Sequence, residues 1–179
     1  MTRRMPNLLR RFCRDEAGSV ETISFAIWMP LVLMTLMLAV EIGVYSARAT
    51  MLEKGLDVVI RDIRLGTGSA PQHDEIKNRI CEQASILPNC EENLRLEMVQ
   101  RDPRAWTGLP TGVDCTDSSQ EVSPVRSFTS GQSNELMVLR ACAKVSPIFP
   151  TTWWVQALHR DGAGDVALVT SSAFVQEPR

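Results

Sequence analysis

The chain has 179 residues and a formal net charge of −2, and 22% of its residues are charged. This length suits one domain with an appendage, and the charged content together with ten prolines argues against a wholly disordered chain. Glycines without a regular period exclude a collagen-like repeat, and a net charge near zero gives no bias toward nucleic acid.

The first 18 residues form a basic leader with five arginines and two acidic residues. Residues 22–40 then carry no charge, and the apolar sequence resumes after Glu41. The 23 residues from 22 to 44 make about 34 Å of helix, which crosses a bilayer core of about 30 Å. We therefore predict a transmembrane helix over residues 19–47, with Glu41 at the outer interface.

The charges on either side of this helix predict its orientation. Five arginines precede it and only Arg48 follows closely, and basic flanks stay in the cytoplasm. We therefore expect a membrane protein with a cytoplasmic N-terminus and a domain outside the cytoplasm over residues 48–179. Two alternatives stay open, namely a secretory signal cleaved near Ala49 and a twin-arginine signal around Arg10 and Arg11.

Beyond the membrane, the pattern predicts an α+β domain with a short antiparallel sheet. An apolar stripe with spacings of three and four residues extends the first helix to about residue 65; it consists of Val44, Met51, Leu52, Gly55, Leu56, Val59 and Ile63. We then expect, in chain order, a helix over 74–85, a strand over 94–100, a long loop over 102–132, a strand over 135–145, a short helix over 151–159 and a strand over 166–175.

Cysteine usage fits an oxidising compartment outside the membrane. Cys13 stands alone on the expected inner side, and four cysteines lie on the outer side: Cys81, Cys90, Cys115 and Cys142. Four cysteines allow three pairings, and we favour 81–90 with 115–142 because both loops are local. Four buried free thiols are one alternative, and a zinc site is a weaker one because the chain has no CxxC pair.

The usual catalytic signatures are absent, since the chain contains no HExxH, GxSxG, P-loop or Rossmann fingerprint. His73 and His159 are far apart in sequence, and residues 161–165 have the composition of a hairpin turn without the spacing of an EF-hand loop. We expect no catalysis, no cofactor, no metal and no nucleic-acid partner. A signal-anchored periplasmic enzyme or ligand-binding domain stays as an alternative, and it requires a concave site that gathers the histidines or several acids.

Two motifs flank the start of the transmembrane helix: RDEAGSV at 14–20 and FAIWMP at 25–30. Together they resemble the TadE-like family, which are pseudopilin-like proteins of the tight-adherence (Tad) branch of type IV pilus systems. The resemblance is strong over about residues 10–65 and looser over 142–145 and 173–178. It implies a pilin-like architecture, with a basic leader, one N-terminal transmembrane helix containing an early proline, and a small extracytoplasmic domain.

The resemblance also implies a processing site and a polar register residue. In the family, a membrane aspartyl prepilin peptidase cuts after the glycine, here Gly18, so that Ser19 becomes the N-terminus. A family glutamate directly before the phenylalanine pairs with a neighbour's N-terminal ammonium, because a carboxylate in lipid needs a partner. That position is Ser24 here, and Glu21 lies three residues earlier. Either residue can set the register, and an unprocessed protein is the alternative.

The function that the resemblance implies is that of a non-catalytic protein of Tad pilus assembly, either a minor pseudopilin or an uncut assembly component. The implied location is the bacterial inner membrane, with the C-terminal domain in the periplasm. It would act through helix contacts in the membrane and through contacts of its head domain with other pilin-like subunits and assembly proteins. Small residues offer surfaces where helices can approach closely: Ala26, Ala39, Gly43 and Ala47.

Overall fold

The computed structural model describes residues 17–65, 72–105, 108–109, 112–113, 115, 128–129 and 131–178. The elements in chain order are α1 (Ala17–Leu65), α2 (His73–Gln83), α3 (Cys90–Asn93), β1 (Leu94–Arg101), β2 (Leu136–Val145), α4 (Trp153–Ala157) and β3 (Val166–Val175). The chain divides into two compact units, Met1–Val40 and Glu41–Arg179. Residues 1–16 of the basic leader and much of the expected long loop lie outside the described residues.

The first unit contains the N-terminal part of α1, and its apolar side chains are exposed. Phe25, Trp28 and Met34 are among these exposed side chains. The helix is long and apolar enough to span a membrane, and its most apolar stretch is not buried inside the protein. So large an exposed apolar surface is unusual in water, whereas a lipid bilayer would bury it.

The second unit is built on a three-stranded antiparallel sheet in the order β1-β2-β3. Leu94 lies opposite Ala143 in the β1–β2 pair, and Leu168 lies opposite the same alanine in the β2–β3 pair. These residues belong to the sheet face that forms the core. Side chains alternate between the two faces of a strand, so the period-two pattern of the sequence gives the strands. The expected α+β class and antiparallel sheet are confirmed.

The part of α1 beyond Glu41 contributes an apolar stripe to this core. Leu52, Leu56 and Val59 are almost completely buried in the same cluster as the sheet residues. Each fully buried side chain of this size contributes about 1.5–3 kcal/mol. Met51 was expected in the stripe but is 37% exposed, whereas Ile60, which was not expected there, is buried.

Helix α2 packs closely against α1 at Gly55. A Cβ atom at this position would lie 3.0 Å from the Ile80 carbonyl oxygen and 3.3 Å from the Ile80 Cγ2 atom. The missing side chain therefore allows the two helices to approach each other. The buried face of α2 consists of Ile76 and Ile80, which have no exposed surface.

Two disulfides fix the second unit, and they are the pairs favoured from the sequence. Cys81–Cys90 joins the end of α2 to the start of α3, and Cys115–Cys142 ties a loop residue to the fully buried Cys142 of β2. All four outer cysteines are bonded, so neither four free thiols nor a cysteine zinc site is present.

Some element bounds differ from the expected ones. Helix α2 ends at Gln83, two residues before its expected end, and α4 covers only Trp153–Ala157. The short helix α3 was not expected, because its four residues are too few to show a helical period.

Candidate functional site

The residues that the resemblance singles out lie at the start of α1. Gly18 and Ser19 have helical backbone, and Glu21 and Ser24 follow in the next turns with exposed side chains. Because Glu21 and Ser24 are three residues apart, they lie on neighbouring positions of one helix face. Proteases cleave extended backbone, so a cut after Gly18 would require the first turn of α1 to unwind.

Glu41, which is only 5% exposed, makes the most specific polar contact of α1. Its Oε1 atom accepts the backbone N–H of Ile148 at 3.1 Å, and its Oε2 atom accepts the backbone N–H of Phe149 at 2.8 Å. The sequence predicted only a residue at the outer membrane interface. In the structure both carboxylate oxygens are instead used by a segment more than 100 residues away in the chain, which we call the 146–158 segment.

Further residues of the same α1 face extend this contact. The Arg48 Nη1 atom donates to the Ser146 carbonyl oxygen at 3.2 Å. The Tyr45 ring meets the Trp154 ring edge-on, with 5.4 Å between their centroids. Residues 41, 45 and 48 recur at spacings of four and three and so share one helix face. One face of α1 thus binds the 146–158 segment through the Glu41 carboxylate, the Tyr45 ring and the Arg48 guanidinium.

Lys144 and Asp161 form a nearly buried ion pair next to this contact, with 3.0 Å between Nζ and Oδ2. The Asp161 Oδ1 atom also accepts the backbone N–H groups of Ala163 and Asp165. Burial acts to raise the pKa of Asp161, but the hydrogen bonds from Asp165, Lys144 and Ala163 together hold that pKa below its usual value. Residues 161–165 therefore form a turn in which the Asp161 carboxylate accepts hydrogen bonds from three protein donors.

A second buried ion pair lies on the sheet face that is turned away from the core. Glu97 and Arg140 stand directly opposite each other on β1 and β2, with 3.3 Å between Oε2 and Nη1. Buried pairs of this kind add little net stability, but removing one partner leaves a buried charge and is costly.

The structure places the two histidines in separate surroundings. His73 begins α2, where its Nδ1 atom lies 2.8 Å from the Asp74 carboxylate and its ring meets Phe128 edge-on. His159 is exposed after α4. Among the residues that the structure describes, no group of three or more His, Cys, Asp or Glu side chains is arranged to hold a metal.

An open groove of about 880 Å³ runs between the C-terminal end of α1 and β3. Its floor is largely apolar and includes Ile60 and Phe174, and its rim carries Arg61 and Arg64. The buried Gln176 closes the adjoining helix end, because its Nε2 atom donates to the Ile63 carbonyl oxygen at 3.0 Å. That oxygen is one of the carbonyl groups that a helix end leaves unpaired.

Comparison of the chain with protein-family models, with curated proteins and with solved structures finds no match. The resemblance to TadE-like proteins consequently rests on the motifs at 14–20 and 25–30.

Proposed function

We propose that this protein is a bitopic inner-membrane protein of the TadE-like type, with a cytoplasmic N-terminus, a membrane-spanning α1 and a periplasmic pilin-like head formed by the second unit. The carrying observation is the exposed apolar surface of α1 up to Val40, which only lipid or neighbouring helices can cover. The two disulfides support an oxidising location for the head. The arginines of the leader support the orientation.

The proposed role is in Tad pilus assembly, where the protein acts by association rather than catalysis. In the membrane, α1 would pack against the equivalent helix of another pilin-like subunit. Small, exposed residues lie at every fourth position of this part of α1, namely Ala39, Gly43 and Ala47. A Cβ atom added at Gly43 would have no other atom within 4 Å. Small residues at this spacing allow helix backbones to approach closely.

The start of α1 supplies the proposed polar register. After removal of the leader by a prepilin peptidase, the new ammonium group of Ser19 in one subunit would pair with the Glu21 carboxylate of a neighbour. Ser24 lies on the neighbouring position of the same helix face and would contribute a hydrogen bond. A charge in lipid is costly unless it is paired, so this pairing favours one longitudinal register between subunits.

The head would contact other subunits through its sheet edge. β3 pairs with β2 on one side. On its other side, within the described residues, the only pairing is an isolated bridge between Val166 and Arg160. The unpaired N–H and C=O groups of an edge strand are suited to pairing with another chain.

The first experiment tests anchoring and processing of the full chain in cells that contain a prepilin peptidase. The protein should resist extraction by alkaline carbonate, and its N-terminal sequence should begin at Ser19. A Gly18→Leu variant is the matched control and should retain its leader. An intact leader in the unaltered protein would refute processing, whereas release of the full chain by carbonate would refute the membrane role.

The second experiment tests the assembly role by complementation. Cells that lack the protein should not display Tad pili, and the unaltered gene should restore them. Glu21→Ala should restore pili poorly, whereas Glu53→Ala, which removes an exposed carboxylate from the same helix outside the proposed span, should restore them fully. Normal piliation without the protein would refute the assembly role.

A further inference from the structure

The 146–158 segment exposes large apolar side chains although it is held firmly on α1. Ile148 is 45% exposed and Trp153 is 65% exposed. Their neighbours Phe149 and Trp154 are half-buried. The backbone around Ile148 is fixed by the bond to Glu41, and Trp154 is fixed by its ring contact with Tyr45. The exposed side chains are thus presented by a structured segment.

The position of Glu41 in the chain sets the level of this segment relative to a bilayer. Glu41 directly follows the uncharged run, and it comes eight residues after residue 33, the middle of residues 22–44. Eight helical residues rise about 12 Å, which is slightly less than half of a bilayer core of about 30 Å. The backbone N–H groups of Ile148 and Phe149 lie within 3.1 Å of the Glu41 carboxylate. With α1 spanning the bilayer as proposed, this places them near the boundary between hydrocarbon and headgroups.

The chemistry of the segment suits that boundary. Tryptophan is enriched at membrane interfaces because its ring is apolar and its N–H group is polar. The Glu41 charge would oppose contact with lipid, but both of its oxygens accept hydrogen bonds from the segment. Arg160 follows the segment and is exposed, so it can meet anionic headgroups.

We propose that Ile148 and Trp153 insert into the outer leaflet of the membrane at the level of Glu41. The 146–158 segment is then a second membrane contact, separate from α1, and it holds the head at the lipid surface. This inference rests on the proposed transmembrane position of α1. The proposed occupant of the exposed side chains is the lipid bilayer, because Glu41, which binds the backbone of Ile148, directly follows the uncharged run of α1.

The test uses the full chain in vesicles of phosphatidylethanolamine and phosphatidylglycerol, with Trp153 as the sole tryptophan after phenylalanine replaces the other three. Fluorescence is measured with lipids brominated near the headgroup and with aqueous iodide. The control protein carries Ile86→Trp with all four native tryptophans replaced, because Ile86 and Ile148 are equally exposed at 45%. Quenching of Trp153 by brominated lipid should exceed that of the control at least about twofold, and iodide should show the reverse order.

A third protein, with Trp28 as the sole tryptophan, separates this inference from the proposed span. If Trp28 is quenched by deeply brominated lipid and Trp153 is quenched like the control, the span holds and the interfacial contact is refuted. If neither is quenched by lipid, both proposals fail. If Trp153 is shielded from iodide without quenching by lipid, a protein surface covers it and the lipid contact is refuted.

Discussion

Replacing Glu41 tests the principal contact between α1 and the 146–158 segment. In Glu41→Ala, the backbone N–H groups of Ile148 and Phe149 lose a charged acceptor at 3.1 and 2.8 Å. A hydrogen bond to a charged group contributes about 1.5–3 kcal/mol. Two such bonds, partly replaced by water, give a local loss of about 3 kcal/mol, which corresponds to a roughly hundredfold change in an opening equilibrium. Glu41→Gln keeps one acceptor oxygen and should lose about half as much.

The measurement is amide hydrogen exchange of the full chain in lipid nanodiscs. Exchange reports the free energy of local opening residue by residue, so the amides of Ile148 and Phe149 should exchange about a hundredfold faster in Glu41→Ala. The Glu41 contact is lost both in local opening and in global unfolding, so the amide of Leu139 in β2, which reports global unfolding, should exchange faster by no more than the same factor. Glu53→Ala removes an exposed carboxylate of the same helix and should alter stability by no more than about 0.5 kcal/mol. Unchanged exchange at residues 148 and 149 would refute the proposed contact.

Three further predictions concern the head. Gly55→Leu should lower the free energy of unfolding by about 1–3 kcal/mol, because its side chain would overlap the backbone of α2; an unchanged urea midpoint would contradict this close packing. Asp161 has a lowered pKa in the folded state, so its stabilisation is complete above the ordinary carboxyl pKa of about 4 and is lost as pH falls below it. Asp161→Asn should therefore be less stable at pH 7 and lose less stability on acidification, and parallel pH profiles would disprove the assignment. Removing the Cys81–Cys90 disulfide, with a sequence separation of 9, should lower the free energy of unfolding by about 2.5 kcal/mol, and removing Cys115–Cys142, with a separation of 27, should lower it by about 3.5 kcal/mol. Equal losses in denaturant unfolding would contradict a dependence of this stabilisation on loop length.

The sheet and the disulfides were predictable because their signals are local in the sequence. Alternation along residues 94–100 marks one strand, and a turn rich in glycine and aspartate marks the start of β3, whose bounds match the expected ones. The cysteine pairs close local loops, and the second pair ties the long loop to a strand, so the sequence favoured them. Most of the helical stripe was predicted correctly. Ile60 lies four residues after Leu56 and three before Ile63, so the same spacing rule also accommodates it.

The role of Glu41 was not predictable because its partners are backbone amides. Position in the sequence gives the depth of a residue along a helix, but not what packs against it. The nearest signal in the sequence is the pair Pro147 and Pro150, because prolines favour a turn there, but this pair does not indicate what the turn contacts. The intervening backbone N–H groups, those of Ile148 and Phe149, have no side-chain signature at all, and the fold alone brings them to the carboxylate.

The two glutamates of the apolar region therefore differ in what they can do. Glu41 is only 5% exposed and both of its oxygens accept hydrogen bonds within its own chain, so a neighbour's ammonium has little access to it. Glu21 has an exposed side chain near the other end of the uncharged run. If a subunit association in the membrane needs a carboxylate, Glu21 is the better candidate. Replacing Glu41 should then disturb the head and spare association, whereas replacing Glu21 should do the opposite.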